Sequence, residues 1–211
     1  MYFNLPIALT WLRIVLIPLF VGVYYLPQSL LSMPAKNWVA MTIFAVAAIT
    51  DWADGWLARR WGQTSAFGAF LDPVADKLMV VAALIVLVWL DRADAWLCMI
   101  IIGRELAISA LREWMAQLGK SKSVAVAFIG KVKTGAQITA IIALLLYQPV
   151  IPGIDTVWLG TAALWVAAIL TLWSMVHYLR IAAPHLTPSS TTPLSRTLSR
   201  IDPPARPSRK S

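Results

Sequence analysis

Six long apolar stretches, separated by short runs of turn-forming or charged residues, limit most strongly how this chain can fold. They are Ile7–Leu26, Trp38–Arg60, Pro73–Leu90, Ala95–Ala116, Val132–Gln148 and Val157–Arg180. A helix of roughly 20 apolar residues crosses the hydrocarbon layer of a bilayer, and backbone groups in hydrocarbon must be hydrogen-bonded within their own segment. The sequence therefore predicts an all-α, polytopic membrane protein with six transmembrane helices.

The composition agrees with a membrane protein rather than a soluble one. Hydrophobic residues make up 59% of the 211 residues and charged residues only 13%, outside the usual range of soluble domains. The single cysteine, Cys98, excludes an intrachain disulfide and any cysteine-rich metal site.

The positions of the basic residues predict the orientation. Six spans place both termini on one side, and on the opposite side the loops hold only Lys36 and Arg92. Because cytoplasmic loops are enriched in lysine and arginine, both termini are predicted to be cytoplasmic. The net charge of +8 is then explained by contact with anionic lipid rather than with nucleic acid.

The chain changes character near Pro184. Residues 1–182 are predicted to form one membrane domain, whereas residues 183–211 are rich in Pro, Ser, Thr and Arg and have almost no large apolar side chains. Such a segment cannot bury enough apolar surface to fold. We expect a disordered basic cytoplasmic tail that either touches anionic headgroups or remains solvated.

Four aspartates lie close together in the segment DWADGWLARRWGQTSAFGAFLDPVAD. Asp51 and Asp54 are three residues apart near the end of the second span, and Asp72 and Asp76 are four apart at the start of the third. Both spacings place the two members on one helix face. Asp72 before Pro73 is typical of a helix N-cap that is followed by a proline at the first helical position. A connection of about a dozen residues would bring the two pairs together.

Converging carboxylates repel one another, and each costs several kcal/mol to bury alone. Divalent cations between them would remove this cost, and ligand sets made only of oxygen favour Mg²⁺ or Mn²⁺. The alternative, that the aspartates are interfacial residues paired with Arg59, Arg60 and Lys77, is less favoured for four carboxylates at helical spacing. Gly55 and Gly68 leave the backbone open to a bulky group such as a nucleotide.

This segment resembles the signature of the CDP-alcohol phosphatidyltransferase family, with every residue type and spacing present. The resemblance covers about residues 1–182. Members of the family displace CMP from a CDP-linked lipid with an alcohol, using divalent metal held by aspartates. The matching positions are Asp51, Asp54, Gly55, Ala58, Arg59, Gly68, Asp72 and Asp76.

The resemblance implies a role for each of these positions. Asp51, Asp54 and Asp72 would coordinate Mg²⁺ or Mn²⁺, with two ions in each active site. Asp76 would be the general base on the attacking hydroxyl and would also contact metal. The positions implied to bind the CDP-lipid are Gly55, Ala58, Arg59 and Gly68.

Charged residues outside this segment indicate the second substrate. Those of the fourth span form a stripe that we expect to face the bundle interior. Arg112, together with Lys131 and Lys133 at the start of the fifth span, predicts a cationic pocket that suits a phosphorylated alcohol. Ordinary positive-inside topology is the alternative explanation for the lysines. The stripe consists of Arg104, Glu105, Ser109, Arg112 and Glu113.

The stretches RE–SALREWMA–LGK–SVAV–GKVKT–Q and FNLPIALTWLRIVLIP resemble the branch of the family whose acceptor is sn-glycerol 3-phosphate. The resemblance implies that this acceptor attacks CDP-diacylglycerol, giving phosphatidylglycerol phosphate and CMP. It also implies a site facing the cytoplasm at a bacterial inner membrane, and a homodimer. Arg13, in the first span, either lines the site or extends to the membrane interface.

Other functions stay open at this point. A sibling enzyme would use another acceptor, such as inositol phosphate or phosphatidylglycerol. An aspartate-rich membrane prenyltransferase would need more spans and a different aspartate spacing. An ion-coupled transporter would need acidic groups distributed across the bilayer, whereas here they lie at one boundary.

Overall fold

The computed structural model describes residues 5–61, 66–117, 127–149 and 155–186. These residues form six α-helices and contain no β-strand. The predicted all-α fold is therefore confirmed. The helices are α1 (Leu5–Tyr25), α2 (Met33–Trp61), α3 (Ala66–Trp89), α4 (Ala95–Gln117), α5 (Ala127–Leu146) and α6 (Thr156–Leu186).

Three of the helices contain stretches long and apolar enough to cross a membrane, which are Ala8–Tyr25, Met33–Asp51 and Thr156–Arg180. The apolar stretch of α5, Val132–Leu146, is shorter. In α3 and α4, charged residues interrupt the apolar sequence. Large apolar side chains such as Trp158 are exposed along the bundle. An apolar surface of this kind indicates a membrane protein.

Prolines that suggested helix boundaries lie within α2 and α3, and both helices begin earlier than predicted. α2 begins at Met33 rather than Trp38, so Pro34 occupies its first turn, where no intrahelical hydrogen bond is lost. α3 begins at Ala66 rather than Pro73. The prediction that Asp72 is the N-cap of the third helix is therefore wrong, since Asp72 lies inside α3.

The sequence before Pro73 explains this extension. The residues AFGAFL are mostly compatible with a helix, and a helix that continues through the proline loses one hydrogen bond. The predicted connection of about a dozen residues between the aspartate pairs is also wrong, because only positions 62–65 separate α2 from α3.

The six helices pack so that α1 contacts α2 and α3, while α6 covers α5 and α4. Helices α5 and α6 approach closely at Gly160, where an added Cβ would lie 2.7 Å from Cγ of Leu144. Small residues allow such close approach between membrane helices. The core between the helices is built from Phe20, Phe44, Leu84, Leu87, Ile101 and Ile141.

Lys36 and Arg92, which were predicted to lie on the side of the membrane opposite the termini, both have hydrogen-bond partners. Arg92 donates hydrogen bonds to the carbonyl oxygens of Leu144 and Leu145, at 3.3 and 2.9 Å, near the end of α5. Lys36 donates to the carbonyl oxygens of Tyr24 and Leu26 at the end of α1. Because the last carbonyls of a helix have no partner within it, both side chains satisfy groups that would otherwise be costly in an apolar surrounding.

Candidate active site

A cavity lies between helices α1 to α5, with a volume of about 130 Å³. Apolar side chains such as Phe44, Met79 and Ile101 line the part that faces the core. The polar lining comes from all five helices, which explains how residues far apart in the sequence meet here. It consists of Arg13, Asp51, Asp76, Lys77, Glu105, Lys133, Thr134 and Gln137.

Asp51 of α2 and Asp76 of α3 both line this cavity and interact electrostatically. The structure thus brings together one member of each predicted aspartate pair. The side chains of Asp54 and Asp72 lie outside the described residues, so the roles of all four as metal ligands, and of Asp76 as base, stay predictions. Among the side chains that the structure describes, no three or more His, Cys, Asp or Glu form a group that could hold a metal ion.

The predicted CDP-lipid-binding positions lie between Asp54 and Asp72 in the sequence. They belong to the end of α2 and the beginning of α3, and their surroundings lie outside the described part of the chain. These positions are Gly55, Ala58, Arg59 and Gly68.

Arg13 is the residue whose place the sequence left open. Its side chain is fully buried, and its Nη1 lies 2.9 Å from Oδ1 of Asp51. The alternative that Arg13 extends to the membrane interface is therefore wrong. An arginine in an apolar helix is costly unless it is paired, and the carboxylate supplies the pairing. In the sequence, Thr10 was the indication that Arg13 faces the interior, because it is polar and lies three residues before Arg13 on the same helix face. Thr10 is also fully buried.

Lys133 of α5 is buried at 5% exposure and lines the same cavity as the aspartates. Its Nζ donates a hydrogen bond to Oε1 of Glu105 on α4, forming an ion pair. Lys133 is also attracted electrostatically to Asp76. The side chains of Arg112 and Lys131, the other two residues predicted for the cationic pocket, lie outside the described residues.

The charged stripe predicted on α4 does not face one direction. Arg104 faces the interior, with only 7% of its surface exposed. Its Nη1 lies 3.3 Å from Oε1 of Glu105, and its Nη2 donates a hydrogen bond to Oγ of Ser174 on α6 at 2.6 Å. Glu113 is exposed, so the prediction that it faces the interior is wrong. Because a helix advances by 3.6 residues per turn, a residue eight positions after Glu105 is rotated by about 80°. The stripe therefore turns out of the bundle.

The arrangement combines two kinds of chemistry in one cavity. Carboxylates on α2 and α3 can bind a hard divalent cation or accept a proton. The ammonium group of Lys133 can form charge-assisted hydrogen bonds with phosphate oxygens. Part of the apolar lining, such as Phe44, belongs to α2, which contains a stretch long and apolar enough to cross a membrane. The cavity therefore suits a reaction between a lipid-linked phosphate and a small phosphorylated molecule.

Comparisons with known proteins agree with this chemistry. The model of the CDP-alcohol phosphatidyltransferase family matches residues 3–173, which include every residue of the cavity lining. The proteins named CDP-diacylglycerol–glycerol-3-phosphate 3-phosphatidyltransferase from Salmonella paratyphi A and Salmonella typhimurium are 51% identical over 186 residues. The Escherichia coli K12 protein of that name is 50% identical. Each alignment covers 86% of this chain and 96% of the relative.

Proposed function

Since the chain belongs to the CDP-alcohol phosphatidyltransferase family, we propose that it transfers the phosphatidyl group of CDP-diacylglycerol to sn-glycerol 3-phosphate. The products are phosphatidylglycerol phosphate and CMP. Relatives at 50–51% identity carry the name of this activity. The structural observation that carries the proposal is the presence of Lys133 in one cavity with Asp51 and Asp76.

The reaction exchanges one bond at phosphorus for another. The free primary hydroxyl of glycerol 3-phosphate attacks the phosphorus that carries diacylglycerol, and the bond from this phosphorus to the oxygen of CMP breaks. CMP leaves with that oxygen. The hydroxyl proton passes to Asp76, which is exposed within the cavity and lies near Lys133, where the acceptor would bind. A carboxylate placed in this way acts as a general base.

Divalent cations are part of the proposal. Two ions, Mg²⁺ or Mn²⁺, would be held by Asp51, Asp54, Asp72 and Asp76, and when bound they would neutralise the charge of the diphosphate. The described residues fit this role, because the carboxylates of Asp51 and Asp76 come from different helices and line one cavity. Arg13 fixes the orientation of the Asp51 carboxylate through their ion pair.

The proposal includes a topology. We place six spans in a bacterial inner membrane, with both termini and the cavity on the cytoplasmic side, and two copies of the chain in a homodimer. The excess of basic residues at one end of the bundle supports this orientation. Lys36 and Arg92, at the other end, donate to helix carbonyls. The bacterial origin of the relatives supports the choice of membrane.

The acceptor can be tested directly in detergent micelles. With CDP-diacylglycerol and Mg²⁺ or Mn²⁺ present, we expect CMP release that depends on sn-glycerol 3-phosphate, because the cavity offers an ammonium group for its phosphate. Serine, inositol phosphate and phosphatidylglycerol are tested in parallel. Release that depends on one of these alcohols, and not on glycerol 3-phosphate, would contradict the assignment of the acceptor.

Lys133→Ala tests the acceptor pocket. A charge-assisted hydrogen bond contributes about 1.5–3 kcal/mol, so we expect the KM for glycerol 3-phosphate to rise about 10- to 100-fold. The KM for CDP-diacylglycerol should change less than about twofold, and both are measured from initial rates of CMP release. Arg180→Ala removes a basic residue that is exposed near the end of α6 and serves as the control. Equal increases in both KM values would remove Lys133 from the acceptor pocket.

A further inference from the structure

Helices α4 and α5 form two walls of the cavity without packing on each other. Within the described ranges, no Cα atom of α4 lies within 8 Å of a Cα atom of α5. The ion pair between Glu105 and Lys133 crosses this gap. Because the two helices do not pack on each other, this ion pair does not serve to hold them together. It determines instead where the Lys133 side chain lies within the cavity.

Lys133 has a second acidic neighbour, Asp76, which attracts the same ammonium group. A lysine side chain has four flexible carbons and many accessible rotamers. Without Glu105, the ammonium group would be drawn towards the aspartates. Glu105, through its ion pair, holds the ammonium group at the α4 wall of the cavity.

Glu105 is itself held by Arg104. The same carboxylate oxygen, Oε1, accepts from Lys133 and lies 3.3 Å from Nη1 of Arg104. Arg104 is anchored to α6 by its hydrogen bond to Ser174 and by the ring of Tyr178, whose centroid lies 5.6 Å from Cζ of Arg104. Arg104 does not line the cavity. It contacts Glu105 and also repels the ammonium of Lys133 electrostatically, which favours a lysine position on the cavity side of Glu105.

The charges of this group favour a phosphate. One carboxylate between two cations leaves the group formed by Arg104, Glu105 and Lys133 with a net charge of one positive unit. Glu105 therefore orients the ammonium of Lys133, while the positive charge of Arg104 offsets the negative charge of Glu105.

We propose that Glu105 is a positioning residue for the transfer, which holds the ammonium of Lys133 ready for the phosphate of the acceptor, and that Arg104 secures Glu105 to α6. The inference rests on the proposed function for the presence of a phosphate on the acceptor. It adds a positioning residue to the proposed active site. It also gives a role to the series of polar contacts that connects Lys133 of α5, through Glu105 and Arg104 of α4, to Ser174 of α6.

A double-mutant cycle tests the proposal. Glu105→Gln should raise the KM for glycerol 3-phosphate about tenfold and leave the KM for CDP-diacylglycerol within about twofold of the wild-type value. In the Lys133→Ala background, Glu105→Gln should have no further effect, because Glu105 acts through Lys133. If the two effects multiply, or if Glu105→Gln changes both KM values equally, the proposal is wrong.

Three further variants distinguish the loss of this interaction from a general loss of folding. Glu105→Asp retains the charge and should raise the acceptor KM less than Glu105→Gln does. Glu113→Gln makes the same change at an exposed position of α4 and should leave both KM values unchanged. If Glu105→Gln fails to fold, Ser174→Ala removes one of the two contacts that anchor Arg104 to α6 and should raise the acceptor KM about two- to fivefold. An unchanged acceptor KM in Ser174→Ala would then overturn the proposal.

The acceptor assay with wild-type protein separates this proposal from the proposed function. If another phosphorylated alcohol proves to be the acceptor, the assignment of glycerol 3-phosphate fails, and the same cycle is measured with that alcohol. If the acceptor carries no phosphate, both proposals fail. If glycerol 3-phosphate is the acceptor and the cycle shows no coupling, only the role of Glu105 fails.

Discussion

Asp76→Asn should reduce kcat by at least about 1,000-fold. Asparagine has nearly the same shape as aspartate but cannot accept a proton from the attacking hydroxyl. It also removes one negative charge from the pair that Asp76 forms with Asp51. The loss should therefore fall on the chemical step, whereas binding of CDP-diacylglycerol, which depends on other groups as well, should stay measurable.

The measurement pairs initial rates of CMP release with the direct binding of CDP-diacylglycerol to purified protein. Asp155→Asn is the matched control, because Asp155 is exposed and caps the start of α6 by accepting from the backbone N–H groups of Val157 and Trp158. Asparagine caps a helix equally well, so this variant should retain full activity. Turnover of Asp76→Asn within about tenfold of wild type would remove Asp76 from the role of general base.

Removal of divalent cations should have an effect of the same size. The diphosphate of the donor and the phosphate of the acceptor bring several negative charges to a cavity already lined by Asp51 and Asp76. Without cations these charges repel one another at the moment of attack, and we expect turnover to fall at least about 1,000-fold. CMP release is measured after chelation with EDTA and gel filtration, and again after Mg²⁺ or Mn²⁺ is restored.

A second readout counts the ions without relying on turnover. Binding of Mn²⁺ to the purified protein, followed by electron paramagnetic resonance, should reach about two ions per chain. Asp51→Asn should weaken this binding, whereas Asp155→Asn should not change it. Full activity after exhaustive chelation, or Mn²⁺ binding that is the same in Asp51→Asn and wild type, would contradict the metal assignment.

The sequence was informative about which residues meet at the cavity. Asp51, Asp76 and Lys133 are charged residues near the ends of apolar stretches, where a charge is costly unless it has a function or a partner. Helical spacing and the positions of these charges near the ends of the apolar stretches predicted that they converge, although the connection between α2 and α3 was misjudged. The roles of the remaining positions of the aspartate signature were implied by the family resemblance. They stay predictions, because the side chains of these positions lie outside the described residues.

The pairings between these residues could not be read from the sequence. Whether Lys133 pairs with Glu105 or with Asp76 depends on how α4 and α5 are rotated about their axes, and α6 sets this rotation by packing on both. The same holds for Arg13, because α1 is largely apolar around its circumference. Helix boundaries were misjudged at Pro34 and Pro73, since the local preference of a proline does not show whether the preceding residues are already helical.

The ion pair between Arg13 and Asp51 has a consequence for how the protein enters the bilayer. Arg13 of α1 is fully buried in the folded protein. When α1 enters hydrocarbon before its partner has been synthesised, the unpaired arginine costs several kcal/mol. The partner lies near the end of the second helix. We therefore expect the insertion machinery to release α1 and α2 into the lipid together, as a helical hairpin rather than as two separate helices.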